Sequence, residues 1–450
     1  MKDVAPADSV CVIGLGYVGL SIAYEAARAG FHVVGIDTSA EKINNLKEGR
    51  NPLEHLVGLS HSEVNALVTS GRLEAFQDMR RGAEARVKII CVPTPMFIDR
   101  RPDLSMIREA TSQLGQSLRA GDIIINESTV APGMTRNIVG RTLERESDLI
   151  AGRDFALVAS PERIDPGNTS LTLSDIPKVI GGVDPESVEL ARQFYSHFVK
   201  QLFLVSSMEA AEATKMLENA YRALNVGFAN EFGRFCDAIG LDVLEVINGA
   251  ATKWSFHPHY PGIGVGGPCV PKDPYYLISA GEEAGTPFNS LWNAMLSNER
   301  MPYFAYGLLK RACAYIKKEA IETRVAIFGL SYKGGVKDHR DSPSLVFSHI
   351  LERDGINNVE VYDPFFSNEE VERLGLKPFD PVHGSCEILV IATNHPQFEN
   401  YEYERVSNLK AIVDGRNVLA GKRLSIPVLG IGRSFIPSSS DPTLDRRARL

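Results

Sequence analysis

Three features of the chain predict an α/β fold made of two doubly wound halves joined by a long helical segment. Short apolar runs alternate with helical patterns up to about residue 205, the stretch 206–240 keeps helical spacing without a proline, and a second alternating pattern opens near 322. Strands separated by helices in series form a parallel sheet with helices on both faces. The 450 residues are too many for one ordinary core, and the length suggests about three domains.

The elements follow in order. "SVCVIG" is an apolar strand, and "LSIAYEAARAG" has helical spacing closed by Gly30. "FHVVGID", "VKIICVPTP", "DIIINEST" and "FALVASPER" are further strands of the first half. The segment 206–240 places Ala213, Met216, Leu217, Ala220 and Leu224 at helical spacing, so Met216, Leu217 and Ala220 are expected to be buried. Such a helix between two α/β halves is a natural spine and a natural dimer surface. "GLDVLEVINGAA" is one more helix. In the last third, "RVAIFGLSYKGG" is a strand and glycine turn, "SPSLVFSHILERDG" a helix, and "VEVYDP", "EILVIAT", "AIVDGRN" and "IPVLGIG" are strands. This half echoes the first, but its turn lacks the full dinucleotide glycine set. The expected limits are 1–205 for an N-terminal Rossmann-type domain and 206–320 for a central helical region. A C-terminal Rossmann-like α/β domain follows at 321–436, then a polar, frayed tail at 437–450.

Composition narrows the function. The chain is 44% hydrophobic and 23% charged, with a formal net charge of -8 and no long basic run. That balance argues against nucleic acid as the main partner and leaves room for a local basic pocket. No apolar stretch reaches membrane-span length, and the first residues carry no secretory h-region. The six cysteines are scattered, with no pair at metal spacing, so no metal is expected. Cys11 and Cys91 lie in apolar runs and read as small core residues. A reducing, cytoplasmic setting is expected.

"GLGYVG" supplies Gly14, Gly16, Tyr17, Val18 and Gly19 between a strand and a helix, and Asp37 ends the next strand. In this context Gly14 permits the tight turn, Gly16 lets the backbone approach a pyrophosphate, and Gly19 lets helix and strand pack closely. The helix N-terminus presents free N–H groups to the phosphates. Asp37 can bond the ribose hydroxyls and would repel a 2′-phosphate, which favours NAD, while Lys42 near the adenosine end softens that preference. A glycine turn serving packing alone is the competing reading.

Lys215 and Asn219 are four residues apart and share a helix face. From spacing alone, a solvated stripe explains them as well as a site does. The loop "GIGVGGPCVPKDPYY" carries Cys269, Lys272 and Asp273 among glycines and prolines. A thiolate helped by Lys272 or Lys215, with Asp273 as base, would make a nucleophile. A packed cysteine beside a surface Lys–Asp pair is the plain alternative. Next to a hydride acceptor, a cysteine suggests aldehyde-level oxidation through a thiohemiacetal and a thioester.

"VCVIGLGYVGL", "CVPTP", "ESTVAPG", "SPERIDPG", "KVIGG", "AEATKMLENAYRALN", "GVGGPCVPKDPYYL", "GLSYKGGVKDHRDSP", "YDP" and "DGRNV" occur in one order from about 8 to 432. On these motifs the chain resembles the UDP-glucose/GDP-mannose dehydrogenase family, the nucleotide-sugar 6-dehydrogenases. The resemblance implies oxidation of a sugar C6 hydroxyl to a carboxylate with two NAD+ and one water. It makes Cys269 the nucleophile, Asp273 its partner carboxylate, and Lys215 with Asn219 the pair around the C6 oxygen. Thr129 and Glu162 resemble the residues that hold the catalytic water or act as acid/base. Thr94, Lys272 and Arg340 match cofactor-facing positions. Lys333 and Arg416 match contacts to the nucleotide diphosphate, and Lys253 a position reaching across a dimer. Arg163, Tyr260 and Gly266 complete the expected substrate-binding set. "SPERIDPG", "ENAYRALNVGFANE" and "HPHYPGIGVGG" look closest to the UDP-N-acetylhexosamine branch, with N-acetylglucosamine or N-acetylmannosamine as the sugar and UDP-glucose as the alternative. A β-hydroxyacid-type dehydrogenase would not need Cys269, and a silent NAD-binding sensor would have no use for the Cys–Lys–Asp set.

Overall fold

The apolar runs become strands buried on both faces, which is why they read as continuous rather than alternating. In the first sheet these are β1 (Ser9–Ile13), β2 (His32–Ile36), β3 (Leu73–Phe76), β4 (Val87–Ile90), β5 (Ile123–Asn126), β6 (Ala156–Ala159), β7 (Lys178–Gly182) and β8 (Leu202–Leu204). The computed structural model describes residues 2–53, 60–164 and 172–433. The tail expected at 437–450 and the last residues of the expected C-terminal domain lie outside the described residues.

The chain divides into two units, Met1–Glu218 with Tyr275–Pro287, and Asn219–Pro274 with Phe288–Leu450. The first unit holds an eight-stranded sheet in the order β3-β2-β1-β4-β5-β6-β7-β8. Helices α1 (Tyr17–Arg28), α2 (Ala40–Lys47), α3 (His61–Thr69), α4 (Ser105–Gly115), α5 (Arg141–Ser147) and α6 (Pro185–Ser196) supply the crossovers and flank it. Strands β1 to β6 are parallel, as the sequence predicts, but β7 runs antiparallel to β6 and carries β8 with it. An antiparallel partner needs no crossover helix, and the described part of the β6–β7 link has only a 3₁₀ turn, Leu173–Asp175.

Helix α7 (Met208–Ile239) realises the predicted central helix. Its buried face includes Met216 and Ala220, whereas Leu217, expected to be buried, is 65% exposed. Leu217 belongs to the opposite face with Tyr221, Leu224, Phe228, Phe235 and Ile239, all exposed. Spacing alone counted both apolar faces as one stripe. Helices α8 (Val243–Ala251), α9 (Asp273–Glu283) and α10 (Asn289–Tyr315) follow. The sequence reading contains nothing for α10, which runs through the buried Pro302, a residue that ordinarily ends a helix.

The second unit holds a parallel five-stranded sheet. Its strands are β9 (Val325–Phe328), β10 (Val359–Tyr362), β11 (Ile388–Ile391), β12 (Ala411–Asp414) and β13 (Val428–Gly430), in the order β10-β9-β11-β12-β13. The predicted echo is geometric. Gly14 N donates to Ile36 O and Gly329 N donates to Tyr362 O, both at 2.7 Å, and the two glycines have φ of +93° and +104°. Leu15 N donates to Asp37 Oδ2 at 2.8 Å, and Leu330 N to Asp363 Oδ2 at 2.7 Å.

Candidate active site

The glycine turn of the first unit separates packing from binding. A Cβ on Gly14 would lie 2.6 Å from Cys91 O, and one on Gly19 would lie 1.8 Å from Gly14 O. Both glycines are therefore demanded by the protein itself. A Cβ on Gly16 would meet nothing within 4 Å, and its φ of -78° suits any residue. Packing alone gives no reason for glycine there, whereas the approach of a pyrophosphate does. Tyr17 and Val18 open α1, whose first turn carries no acidic side chain, so its N–H groups suit an anion. Asp37 stands at the end of β2. Its Oδ1 accepts from Ser39 N at 2.9 Å, and its Oδ2 from Leu15 N at 2.8 Å and Lys42 Nζ at 3.0 Å. Lys42 is thus turned onto Asp37.

The loops after β4, β5 and β6 meet beside this turn. Thr94 Oγ1 donates to Thr129 O at 2.7 Å, and Tyr276 OH of α9 donates to Thr94 O at 2.9 Å. Glu162 is 5% exposed. Its Oε1 accepts from Arg163 N at 2.6 Å and Ile164 N at 2.8 Å, and its Oε2 from Lys178 Nζ at 2.7 Å. Lys178 also reaches Glu127 Oε2 at 2.5 Å. Arg163 pairs with Glu218 and donates to Pro177 O. On α7 of the same unit, Glu212 accepts from Thr135 N at 2.7 Å, which ties the loop carrying Thr129 to the helix carrying Lys215. Burial lifts the Glu212 carboxyl to about 7. Lys215 is 7% exposed, which removes the solvated-stripe reading.

In the second unit, Cys269 sits on a tight turn that opens α9. Its carbonyl accepts from Lys272 N at 2.9 Å and Asp273 N at 2.8 Å. Of the six cysteines, five are buried and Cys269 is partly exposed. Asn219 Nδ2 donates to Asp273 Oδ2 at 2.5 Å, with both side chains buried. Lys272 pairs with Asp341 at 2.8 Å, so its ammonium faces that carboxylate. Gly267 N donates to Arg340 O at 2.9 Å, and a Cβ on Gly266 would lie 2.6 Å from Asp341 O. The cysteine loop is in this way laced to the segment 332–343. The Arg340 side chain bonds Asp338, which together with the charge on that carboxylate raises its pKa despite burial.

Arg416, after β12, lies against Gly262, where a Cβ would sit 2.6 Å from Nη1. Its Nε donates to Ala392 O at 3.1 Å, and burial pushes its pKa down to about 10. Lys333 follows the Gly329 turn. Tyr260 and Lys253 are exposed. The sequence reading missed Glu127, Lys178 and Tyr195 in the first unit and Asp341 in the second. No local spacing marks them, since each meets its partners only through the fold.

Comparison with known proteins decides the family. The UDP-glucose/GDP-mannose dehydrogenase NAD-binding domain matches residues 8–199, the central domain 209–300 and the UDP-binding domain 326–421. The chain belongs to the UDP-glucose/GDP-mannose dehydrogenase family. It is an NAD-dependent oxidoreductase of that family, with the mixed α/β architecture the sequence predicts. The UDP-N-acetyl-D-mannosamine dehydrogenase of Pyrococcus horikoshii is 35% identical over 95% of this chain and 100% of its own length. The UDP-N-acetyl-D-glucosamine 6-dehydrogenase of Pseudomonas aeruginosa is 33% identical over 91% of this chain and 94% of its own. The solved UDP-glucose dehydrogenase of Pyrobaculum islandicum superposes with a TM-score of 0.84 at 27% identity, covering 95% of this chain and 98% of that one. Among the described residues, no helix is long and apolar enough to cross a membrane.

Proposed function

We propose that the protein oxidises the C6 hydroxyl of a UDP-N-acetylhexosamine to the uronate in two steps, through a thioester on Cys269. The observation that carries this reading is the placement of the partly exposed cysteine. It lies on the turn that also supplies Asp273, which in turn holds Asn219. An accessible thiol is what nucleophilic catalysis needs. The names of the relatives in Pyrococcus and Pseudomonas support an acetamido sugar.

Gly14, Gly16, Gly19, Tyr17, Val18 and Asp37 would hold NAD, with Lys42 on Asp37 and with Thr94, Lys272 and Arg340 toward its nicotinamide side. Bound NAD+ accepts one hydride in each oxidation. In the first, C6 loses a hydride and its hydroxyl proton, leaving an aldehyde. The Cys269 thiolate then adds to C6, and Lys215 with the second N–H of Asn219 steadies the oxyanion of the thiohemiacetal. Loss of a second hydride from C6 gives the thioester. Water held by Thr129 and Glu162 attacks the carbonyl, the C–S bond breaks, and Cys269 leaves as thiolate. One alcohol and one water yield one carboxylate, two hydrides and three protons. Asp273 orients Asn219 and exchanges protons with the thiol.

Arg416 and Lys333 take the diphosphate end, Arg163, Tyr260 and Gly266 belong to the substrate-binding set, and Lys253 reaches across the dimer. An anion at Arg416 would offset the cost of burying that guanidinium. The domain limits 1–205, 206–320 and 321–436 belong to this reading, as does a cytoplasmic homodimer built through the exposed face of α7. A panel of UDP-sugars with NAD+ tests the substrate. UDP-N-acetylmannosamine or UDP-N-acetylglucosamine is expected to exceed UDP-glucose by about tenfold or more in kcat/KM. A preference for UDP-glucose would overturn the acetamido assignment.

A further inference from the structure

Four side chains from four elements meet in the core of the first unit. Lys178 of β7 is buried, with Nζ 2.5 Å from Glu127 Oε2 and 2.7 Å from Glu162 Oε2. Tyr195 of α6 donates its hydroxyl to Glu127 Oε1. Among the described residues Cys91, buried just after β4, is the other titratable group facing them, and burial holds its thiol well above the ordinary range. The cluster thus places one ammonium between two carboxylates, with a phenol and a thiol around it.

Buried charges persist only when paired and hydrogen-bonded. Glu162 has three donors, the Lys178 ammonium and two backbone N–H groups. These hold both of its carboxyl oxygens in one orientation. Glu127 has the ammonium and one neutral phenol. Burial pushes its carboxyl up to about 7, against the pull of Lys178. The two carboxylates of Glu127 and Glu162 in turn keep the Lys178 ammonium charged, outweighing its burial. Near neutral pH the exchangeable proton of the cluster therefore resides on Glu127.

We propose that Lys178 and Glu127 are positioning residues for Glu162: the ammonium holds the Glu162 carboxylate in one orientation, and Glu127 takes up and gives up the cluster's proton. This rests on the reading of Glu162 as the carboxylate that handles the hydrolytic water. With Lys178 gone, two buried carboxylates face each other without a cation, and one must keep a proton.

The test uses the full-length enzyme with NAD+ and UDP-N-acetylmannosamine across about pH 5.5–9. Lys178→Met should lower kcat by about fiftyfold or more with both KM values within about threefold, and Lys178→Arg should recover at least about tenfold of that loss. The wild-type kcat profile should bend near neutral pH, and Glu127→Gln should abolish or displace the bend. Infrared difference spectra between about pH 6 and 8 read the proton without turnover. A protonated-carboxyl band should titrate in the wild type and be missing from Glu127→Gln. A Lys178→Met kcat within about threefold of wild type, or the same bend and the same band in Glu127→Gln, would overturn the proposal. If Lys178→Met does not fold, the Glu127→Gln arms decide. A wild type that oxidises no UDP-sugar but shows the titrating band would refute the functional reading and leave the proton assignment standing.

Discussion

Gly16 and Gly19 belong to one turn, yet a side chain at each would be opposed by different things. At Gly19 a Cβ runs into Gly14 O, so Gly19→Ala should cost about 1–3 kcal/mol of stability in denaturant titration. At Gly16 the space is open, so Gly16→Val should melt like the wild type while losing about tenfold or more in NAD+ affinity. Glu127 gives a pH signature of its own. Its folded-state value of about 7 lies above the ordinary 4.5, so its contribution to stability is complete below about 4.5 and is lost as pH rises through about 7. The melting temperature should fall between about pH 5 and 7 and level off above, and fall by less in Glu127→Gln. Residues whose meaning is local were legible in the sequence: the glycine spacing, Asp37, and the Cys269–Lys272–Asp273 group. Lys178 was not, because its partners Glu127 and Glu162 reach it only after β7 joins the sheet beside β6. Nor was the pairing of Lys272 with Asp341, which spans two distant loops.

At the scale of elements, α7 presents two faces with different tasks. One buries Met216, Ala220 and the polar Lys215 and Asn219. The other exposes Leu217, Tyr221, Leu224, Phe228, Phe235 and Ile239 along the helix, at spacings of three, four and seven. An apolar stripe of that length is what a second copy would cover. For the proposed homodimer, Phe228→Asp should shift the species seen by light scattering from dimer to monomer, without loss of helical circular dichroism. The helix itself was legible, since its periodicity runs unbroken. Its two faces were not distinguished, because an exposed apolar face and a core-facing one have the same spacing. The strands of both sheets were legible as apolar runs, but direction was not, so the reversal of β7 carried no signal. Helix α10 stayed hidden behind Pro302, which the burial of its surroundings holds in place.

The whole molecule carries one structural idea twice. Both halves begin with a strand, a glycine at positive φ and an acidic residue that accepts the next N–H. They diverge at the acid. Asp37 lies beside the open turn at Gly16, whereas Asp363 is fully buried and bonded to His395 Nε2 at 3.0 Å. The second half therefore cannot offer Asp363 to a ribose. It instead presents Arg416 against Gly262. Arg416→Lys should raise the KM for the UDP-sugar by about tenfold with kcat little changed, since a guanidinium fork binds a diphosphate in ground and transition states alike. The order of motifs makes this division readable in the sequence, while the closing of the second acid by His395 lies beyond the reach of spacing. The proposed chemistry requires Cys269 to keep the sugar through both oxidations. Counting NADH formed per UDP-N-acetylhexosamine consumed tests this most directly: about two is expected, with uronate as product, and one NADH with free aldehyde released would contradict it.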